Sequence, residues 1–197
     1  MSTVRTLTLA DAAVPGVSLV RDVALIAGAS LLTALAAQVA VPLPGSPVPL
    51  TGQTFAVLLT GAALGARRGF LAQALYLLEG AAGLPVFAGG LGGAWLLAGP
   101  TGGFLAAFPL AAAVTGMLAE RGWDRRFTGT LAAMLLGSAV ILLVGAGWLA
   151  RFLPLPQALA AGAWPFVPGD LLKAVAAALA LPAAWRALRP GRSGRGG

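Results

Sequence analysis

The chain of 197 residues contains no cysteine and no histidine, and Lys173 is its single lysine. Without cysteine it forms neither disulfides nor thiol nucleophiles, and without histidine it lacks imidazole bases and the usual zinc ligands. A phosphate-binding P-loop needs a lysine directly after a glycine-rich turn, whereas Lys173 follows Leu172. Any ATP hydrolysis that the protein depends on therefore belongs to a partner.

Charge is also scarce, since 10% of the residues are charged, 58% are hydrophobic and the mean hydropathy is +0.89. This composition is far more apolar than that of a soluble domain, so it predicts a membrane protein. A helical span needs roughly 17 to 25 mostly apolar residues. Proline, glycine and charge leave room for six spans in an all-α bundle, at 23–41, 50–66, 69–84, 103–119, 128–150 and 169–187.

The net charge of +7 has a strongly uneven distribution. Arginines precede the first span, separate the second from the third and the fourth from the fifth, and follow the sixth, whereas the connections 42–49 and 85–102 carry no charge and 151–168 carries only Arg151. Basic connections stay in the cytoplasm, so this pattern predicts six helices with both termini cytoplasmic. It disfavours the other use of arginines, a nucleic-acid-binding stripe.

Three regions follow from this arrangement. Residues 1–22 contain Asp11 and Pro15 and no continuous apolar core, so they are predicted as a cytoplasmic segment rather than a cleaved signal peptide. Residues 23–187 are predicted to form a six-helix membrane domain that binds the substrate. The tail 188–197 is basic and rich in glycine, which predicts disorder in the cytoplasm.

Asp170 and Lys173 are an acid and a base inside the last apolar stretch. Charges at membrane depth are costly unless they are paired or face a polar cavity, so such a pair indicates a functional site. Pro168 and Gly169 predict a helix start, which would place both residues in the first turn and on one face. An acid is stabilised at the amino end of a helix but a cation is not. Lys173 is therefore expected to pair either with Asp170 alone or with a bound anion.

Further candidates for a ligand site precede the charged pair. Thr51 and Gln53 follow the proline-rich loop 42–49 and offer neutral hydrogen-bonding groups, although Gln53 also suits a simple helix start. Glu79 either snorkels to the interface or lines the same cavity. The segment 86–104 contains seven glycines and suits irregular backbone against protein or a cavity. Aromatic walls would come from Tyr76, Phe87, Trp95, Phe104 and Trp164.

Small residues recur at a spacing of four in the first span, at Ala29, Thr33 and Ala37. Small residues at this spacing allow close approach of another helix. Two interpretations remain open, packing within the same bundle and docking of a partner subunit.

Three motifs in this order resemble the BioY family, the biotin-binding S-components of energy-coupling factor (ECF) transporters. They are PVPLTGQTFAVLLTGAALG, YLLEGAAGLPVFAGG followed by GPTGGF, and WPFVPGDLLK, and the resemblance covers nearly all of 23–186. Gly52, where a leucine is expected, and Glu79, where an uncharged residue is expected, depart from the family pattern.

The resemblance implies a prokaryotic inner-membrane protein that binds biotin from outside and is not an enzyme. It makes Asp170 and Lys173 ligand contacts, and it makes the small face of the first span the contact for a transmembrane T-component, which works with two ATPase subunits. No cofactor and no metal is expected. From the residues alone, a transport subunit for another small carboxylate nutrient and an intramembrane enzyme that uses Glu79, Asp170 and Lys173 remain alternatives.

Overall fold

The computed structural model describes residues 7–16 and 18–188, and most of them are α-helical. Within this part, six helices of twelve residues or more form a bundle, and three shorter helices lie at its ends. The helices are α1 (Leu9–Ala13), α2 (Leu19–Ala37), α3 (Gln53–Leu64), α4 (Ala66–Ala81), α5 (Trp95–Ala98), α6 (Gly102–Ala119), α7 (Phe127–Leu149), α8 (Leu155–Gly162) and α9 (Val167–Ala187).

The six long helices coincide with the six predicted stretches, and the largest shift is four residues, at α2. Helix α2 begins at Leu19 because the Ser18 side chain caps it, accepting a hydrogen bond from the backbone N–H of Arg21 at 3.5 Å. The predicted boundary after residue 22 therefore falls inside this helix. The predicted disordered tail, apart from Leu188, lies outside the described residues.

Four segments of the described chain are long and apolar enough to cross a membrane on their own: Leu19–Ala37, Gly102–Ala119, Phe127–Leu149 and the run Leu155–Ala187 that joins α8 to α9. Helix α8 was not predicted, because its residues form part of the connection 151–168 between the fifth and sixth predicted spans. Helices α3 and α4 have 12 and 16 residues, fewer than the roughly 20 that a bilayer requires.

A single glycine joins α3 to α4. Gly65 has a φ of 86°, a left-handed conformation that breaks the helix and favours glycine. The two helices pack closely on α6: a Cβ added at Gly61 would lie 2.4 Å from the carbonyl oxygen of Ala112 and from Thr115 Oγ1. This packing explains how two short helices remain ordered within the bundle.

The buried face of α2 contains the ladder of small residues. Ala29, Thr33 and Ala37 are all buried, and Thr33 Oγ1 accepts a hydrogen bond at 3.1 Å from Nε2 of Gln73 on α4. Gln73 Nε2 also donates to Thr60 Oγ1 on α3 at 3.1 Å. The ladder thus packs within the bundle, which favours the first of the two interpretations over docking of a partner by these three residues, because their side chains are not at the surface of this structure.

The loops at one end of the bundle form an irregular cover. Strands β1 (Ala40–Val41) and β2 (Leu50–Thr51) pair antiparallel, with Ala40 opposite Thr51, and the proline-rich loop joins them. The glycine-rich segment before α6 folds into a 3₁₀ turn (Ala88–Gly90) and helix α5. Its backbone is tied down by side chains, because its carbonyls at 86, 87 and 99 accept hydrogen bonds from Tyr76, Gln38 and Trp148.

Charged residues gather at the opposite end. Asp11 of α1 pairs with Arg21 at 2.7 Å and with Arg68 at 2.8 Å, and Arg68 pairs with Asp22 at 3.0 Å. Burial acts to raise the pKa of Asp11, but the hydrogen bonds from Thr8, Arg68 and Arg21 outweigh it and hold the pKa well below its usual value. This cluster fastens α1 to the starts of α2 and α4.

We expect Asp11→Asn to lower the stability of the bundle by about 1 to 2 kcal/mol at neutral pH, because it removes a partly buried carboxylate with three hydrogen-bonded partners. The pKa of Asp11 is lower in the folded state than in the unfolded state. The ionised carboxylate therefore stabilises the fold fully above the unfolded-state pKa, and this stabilisation is lost as the pH falls from there through the folded-state pKa. The difference between the two proteins should therefore shrink with acidification below about pH 4. Thermal unfolding of both proteins in detergent at several pH values measures this difference in stability. A difference that stays constant down to about pH 3 would contradict the lowered pKa of Asp11.

Candidate functional site

A cavity of about 360 Å³ lies beneath the irregular cover, a volume within the usual range for a small-molecule site. Its walls come from the β1–β2 loop, the glycine-rich segment and helices α3, α6, α7 and α9. Most of the lining side chains are apolar, and the charged ones are Asp170 and Lys173. The apolar and aromatic lining includes Val48, Leu50, Phe87, Leu91, Trp95, Leu96, Phe104, Leu105, Phe108, Ile141, Leu142 and Phe166.

Asp170 and Lys173 lie on the cavity-facing side of α9. The helix begins at Val167, two residues before the predicted start, so Asp170 stays near its amino end and Lys173 lies in the next turn. Their spacing of three residues places both side chains on one face, and Lys173 Nζ donates to Asp170 Oδ1 at 3.3 Å. Asp170 is buried, whereas the Lys173 side chain keeps 20% of its surface exposed.

Lys173 also contacts the segment that leads into α3. Its Nζ donates to the carbonyl oxygen of Thr51 at 2.9 Å and to Oγ1 of Thr54 at 2.7 Å. The Thr54 hydroxyl donates in turn to Asp170 Oδ1 at 3.4 Å. These contacts hold the ammonium group at the junction of the hairpin, α3 and α9.

The second oxygen of Asp170 has a partner on another helix. Ser138, buried in α7, donates a hydrogen bond to Asp170 Oδ2. Because a carboxylate with partners on both oxygens keeps one orientation, Ser138 fixes the direction in which Asp170 meets the cavity. Sequence reasoning missed Ser138, since a lone serine in an apolar helix has no distinguishing pattern.

Gln53 and Tyr76 form a rigid polar support at the cavity wall. Gln53 Nε2 donates to the Tyr76 hydroxyl, and Gln53 Oε1 accepts from the Thr51 hydroxyl at 3.0 Å. Gln53 and Thr51 line the cavity, whereas Tyr76 is fully buried behind it, stacked near Phe108 and edge-on to Phe87. Tyr76 therefore supports the wall instead of forming its surface.

The other aromatic candidates divide between wall and surface. Phe87, Trp95 and Phe104 line the cavity. Trp164 is 72% exposed and does not line it, because the 3₁₀ turn Trp164–Phe166 directs Phe166 inward in its place.

Glu79 also lies outside the cavity lining. It accepts a hydrogen bond at 2.5 Å from Ser30 of α2, which is fully buried. This contact explains how α4 accommodates an acid at this depth, since the carboxylate joins two helices.

The arrangement can bind a small amphipathic molecule with one polar end. A cation and an acid lie side by side under aromatic and aliphatic walls, so an anion can accept from Lys173 while neighbouring N–H groups donate to Asp170. Fold and site together define an α-helical membrane protein that binds a small ligand at one end of its bundle.

Comparison with known proteins identifies the family. The model of the BioY family matches residues 5–190, nearly the whole sequence. The chain therefore belongs to the BioY family, as the three motifs indicated, and it is a prokaryotic membrane protein.

Similar proteins come from archaea and bacteria. A probable biotin transporter BioY of Pyrococcus horikoshii is 42% identical over 159 residues, which cover 81% of this chain and 93% of that protein. The biotin transporter BioY of Thermotoga maritima is 44% identical over 140 residues, which cover 71% and 82%. The crystal structure of the S-component for biotin from an ECF-type ABC transporter superimposes with a TM-score of 0.74 at 25% identity, over 89% of this chain and 96% of that one.

Proposed function

We propose that this chain is the biotin-binding S-component of an ECF-type vitamin transporter in a prokaryotic inner membrane. It captures biotin from outside the cell and passes it to the cytoplasm with an ATP-driven partner module. The observation that carries the proposal is the Asp170–Lys173 pair at the base of an apolar, aromatic cavity, in a chain of the BioY family.

The chemistry of biotin suits this cavity. Its carboxylate can accept a charge-assisted hydrogen bond from Lys173, and its ureido N–H groups can donate to Asp170 or Gln53. Its fused rings and aliphatic chain match the walls formed by Phe87, Trp95 and Phe104. Thr51 contributes through its carbonyl, which orients Lys173.

Equilibrium binding of radiolabelled biotin to the purified full chain tests the proposal. We expect saturable binding of one biotin per chain, and we expect excess unlabelled biotin to displace it. Competition by other small carboxylate vitamins at equal concentration should be at least about tenfold weaker, since each would lack part of the polar contact set. Absence of saturable biotin binding, or equal competition by another carboxylate, would overturn the assignment of biotin.

We further propose that all six long helices cross or line the membrane region, with both termini in the cytoplasm. Helices α3 and α4 are short, but each packs closely against α6 through Gly61 and Gly69, so contacts within the bundle as well as apolar length hold them in the membrane region. The charged cluster of Asp11, Arg21 and Arg68 lies at the end away from the cavity, as the positive-inside rule requires for a cavity that opens outward.

This topology predicts which sites react from each side of the membrane. We expect a cysteine at residue 122 to be protected from an impermeant thiol reagent in intact cells and a cysteine at residue 45, in the β1–β2 loop, to be labelled. The chain has no native cysteine, so each variant reports one position. The opposite labelling pattern would contradict the proposed orientation.

For energised uptake we propose a transmembrane T-component and two ATPase subunits as partners, while the chain itself needs no cofactor. We propose that the T-component docks on the exposed row of α2 that contains Ala24 and Gly28. The side chains in this row are small, and no other helix in the described part of the bundle covers them. A Cβ added at Gly28 would meet nothing within 4 Å. This row replaces the buried ladder as the proposed partner contact.

A further inference from the structure

Four arginines lie together at the end of the bundle opposite the cavity. Arg121, Arg125 and Arg126 belong to the connection between α6 and α7, and Arg186 lies in the last turn of α9; all four side chains are exposed. In the described ranges 7–16 and 18–188, none of the four forms an ion pair with a carboxylate. We call this set the basic groove.

The acid within this connection is buried and is not part of the exposed surface of the basic groove. Asp124 is 2% exposed, and its Oδ2 accepts a hydrogen bond from Trp185 Nε1. Arg125 stacks on the Trp185 ring at 4.4 Å from its centroid, so this arginine is held in place without losing its charge. The four arginines outnumber Glu120 and Asp124, the acids beside them in the sequence, so the groove keeps a net positive charge.

The shape of the basic groove joins a polar pocket to an apolar one. An open depression of about 650 Å³ is lined by Arg121, Arg125, Arg126, Thr128 and Gly129. Helix α7 begins here without a side-chain cap, so its first backbone N–H groups add to the positive potential.

A second depression of about 330 Å³ shares two of these arginines and continues toward the membrane region between α7 and α9. Besides Arg125, Arg126 and Arg186, its walls are Phe127, Ala178, Leu179 and Pro182. Leu179 is 62% exposed within the bundle, so the groove offers apolar surface directly beside the arginines.

We propose that the basic groove is a binding site for one anionic phospholipid, with the phosphate of its headgroup against Arg121, Arg126 and Arg186 and an acyl chain along Leu179 and Phe127. Arginine binds phosphate oxygens through its planar fork of N–H donors, and several basic side chains at a membrane surface attract anionic lipids additively. The apolar continuation favours a lipid over free phosphate, which would fill only the polar depression. A protein partner would instead require matching acidic groups and would leave the apolar strip in contact with lipid.

Native mass spectrometry of the purified full chain in detergent tests this site, with phosphatidylglycerol and phosphatidylcholine of identical acyl chains as probes. We expect one phosphatidylglycerol to be retained more tightly than phosphatidylcholine. The double variant R126Q/R186Q should weaken phosphatidylglycerol binding roughly 10- to 30-fold and leave phosphatidylcholine binding unchanged. Each single variant is measured as well, so that the test does not depend on the double variant folding.

The matched control is R67Q, which removes one exposed arginine at the same end of the bundle but outside both depressions. Its phosphatidylglycerol affinity should stay at the wild-type value. Equal losses in R67Q and R126Q would show only general electrostatic attraction and would overturn the proposal. Inorganic phosphate that competes as well as phosphatidylglycerol would also overturn it, because the acyl chain would then have no role.

Discussion

Replacing Lys173 by alanine is expected to lower the affinity for biotin by about 30-fold or more, while the protein still folds. Loss of one partner from a hydrogen-bonded charge pair costs about 2 to 5 kcal/mol, partly because the other charge is left without compensation. In this case the remaining charge is Asp170, which is 6% exposed. Asp170→Asn should have a comparable effect, since it leaves the ammonium group without its anion.

The matched control for this pair is Glu79→Gln, because Glu79 is also an acid within a long helix but lies outside the cavity lining. We expect its biotin affinity to stay within about threefold of wild type, because the side chain does not line the cavity and glutamine keeps an oxygen that can accept from Ser30. Equilibrium binding and thermal unfolding, measured on all three variants, separate loss of the site from loss of the fold. Near-normal affinity in both Lys173→Ala and Asp170→Asn would contradict the site.

Two neighbouring residues of α2 should respond in opposite ways to tryptophan. Ala29→Trp is expected to destabilise the bundle by about 3 kcal/mol or more, because Ala29 is buried and a large ring would overpack the contact with α4. Gly28→Trp should leave folding and biotin binding intact, since the position is open. In cells that contain the energising partners, Gly28→Trp should reduce biotin uptake severalfold by blocking close helix approach.

Uptake by cells and binding by the purified subunit must be compared for these two variants. Full uptake by Gly28→Trp would contradict the proposed docking row. Normal stability of Ala29→Trp would contradict the internal packing of the ladder. Ala37→Trp offers a second test of that packing, because Ala37 is fully buried.

The positions of the long helices could be predicted from the sequence. The length of each apolar stretch and the charged residues that separate the stretches are local features of the chain. The charged pair was predictable for the same reason: a lysine in an apolar stretch is visible without any knowledge of its neighbours. The start of α2 was misplaced because the exposed Leu19 and Val20 precede Arg21 and Asp22, and the charges suggested a boundary. Their pairing with Arg68 and Asp11, on other helices, removes that boundary.

Contacts between distant parts of the chain could not be predicted in this way. Ser138 meets Asp170 across 32 residues of sequence, and Tyr76 supports the cavity from behind through Gln53. Thr33, on the buried face of α2, accepts a hydrogen bond from Gln73 of α4, a contact that the spacing of small residues does not predict. A periodic ladder thus indicates close packing without identifying the partner.

The hydrogen bonds of Lys173 set the terms on which an anion can bind. An ammonium group has three protons, and in this structure its acceptors are the Thr51 carbonyl, Thr54 and Asp170. A ligand carboxylate must therefore take the place of an existing acceptor, so the affinity measures the difference between two sets of hydrogen bonds. If the ligand replaced the Thr51 carbonyl as an acceptor, Lys173 would no longer hold the strand that leads into α3. If it replaced the longer bond to Asp170, the hairpin would stay hydrogen-bonded to Lys173.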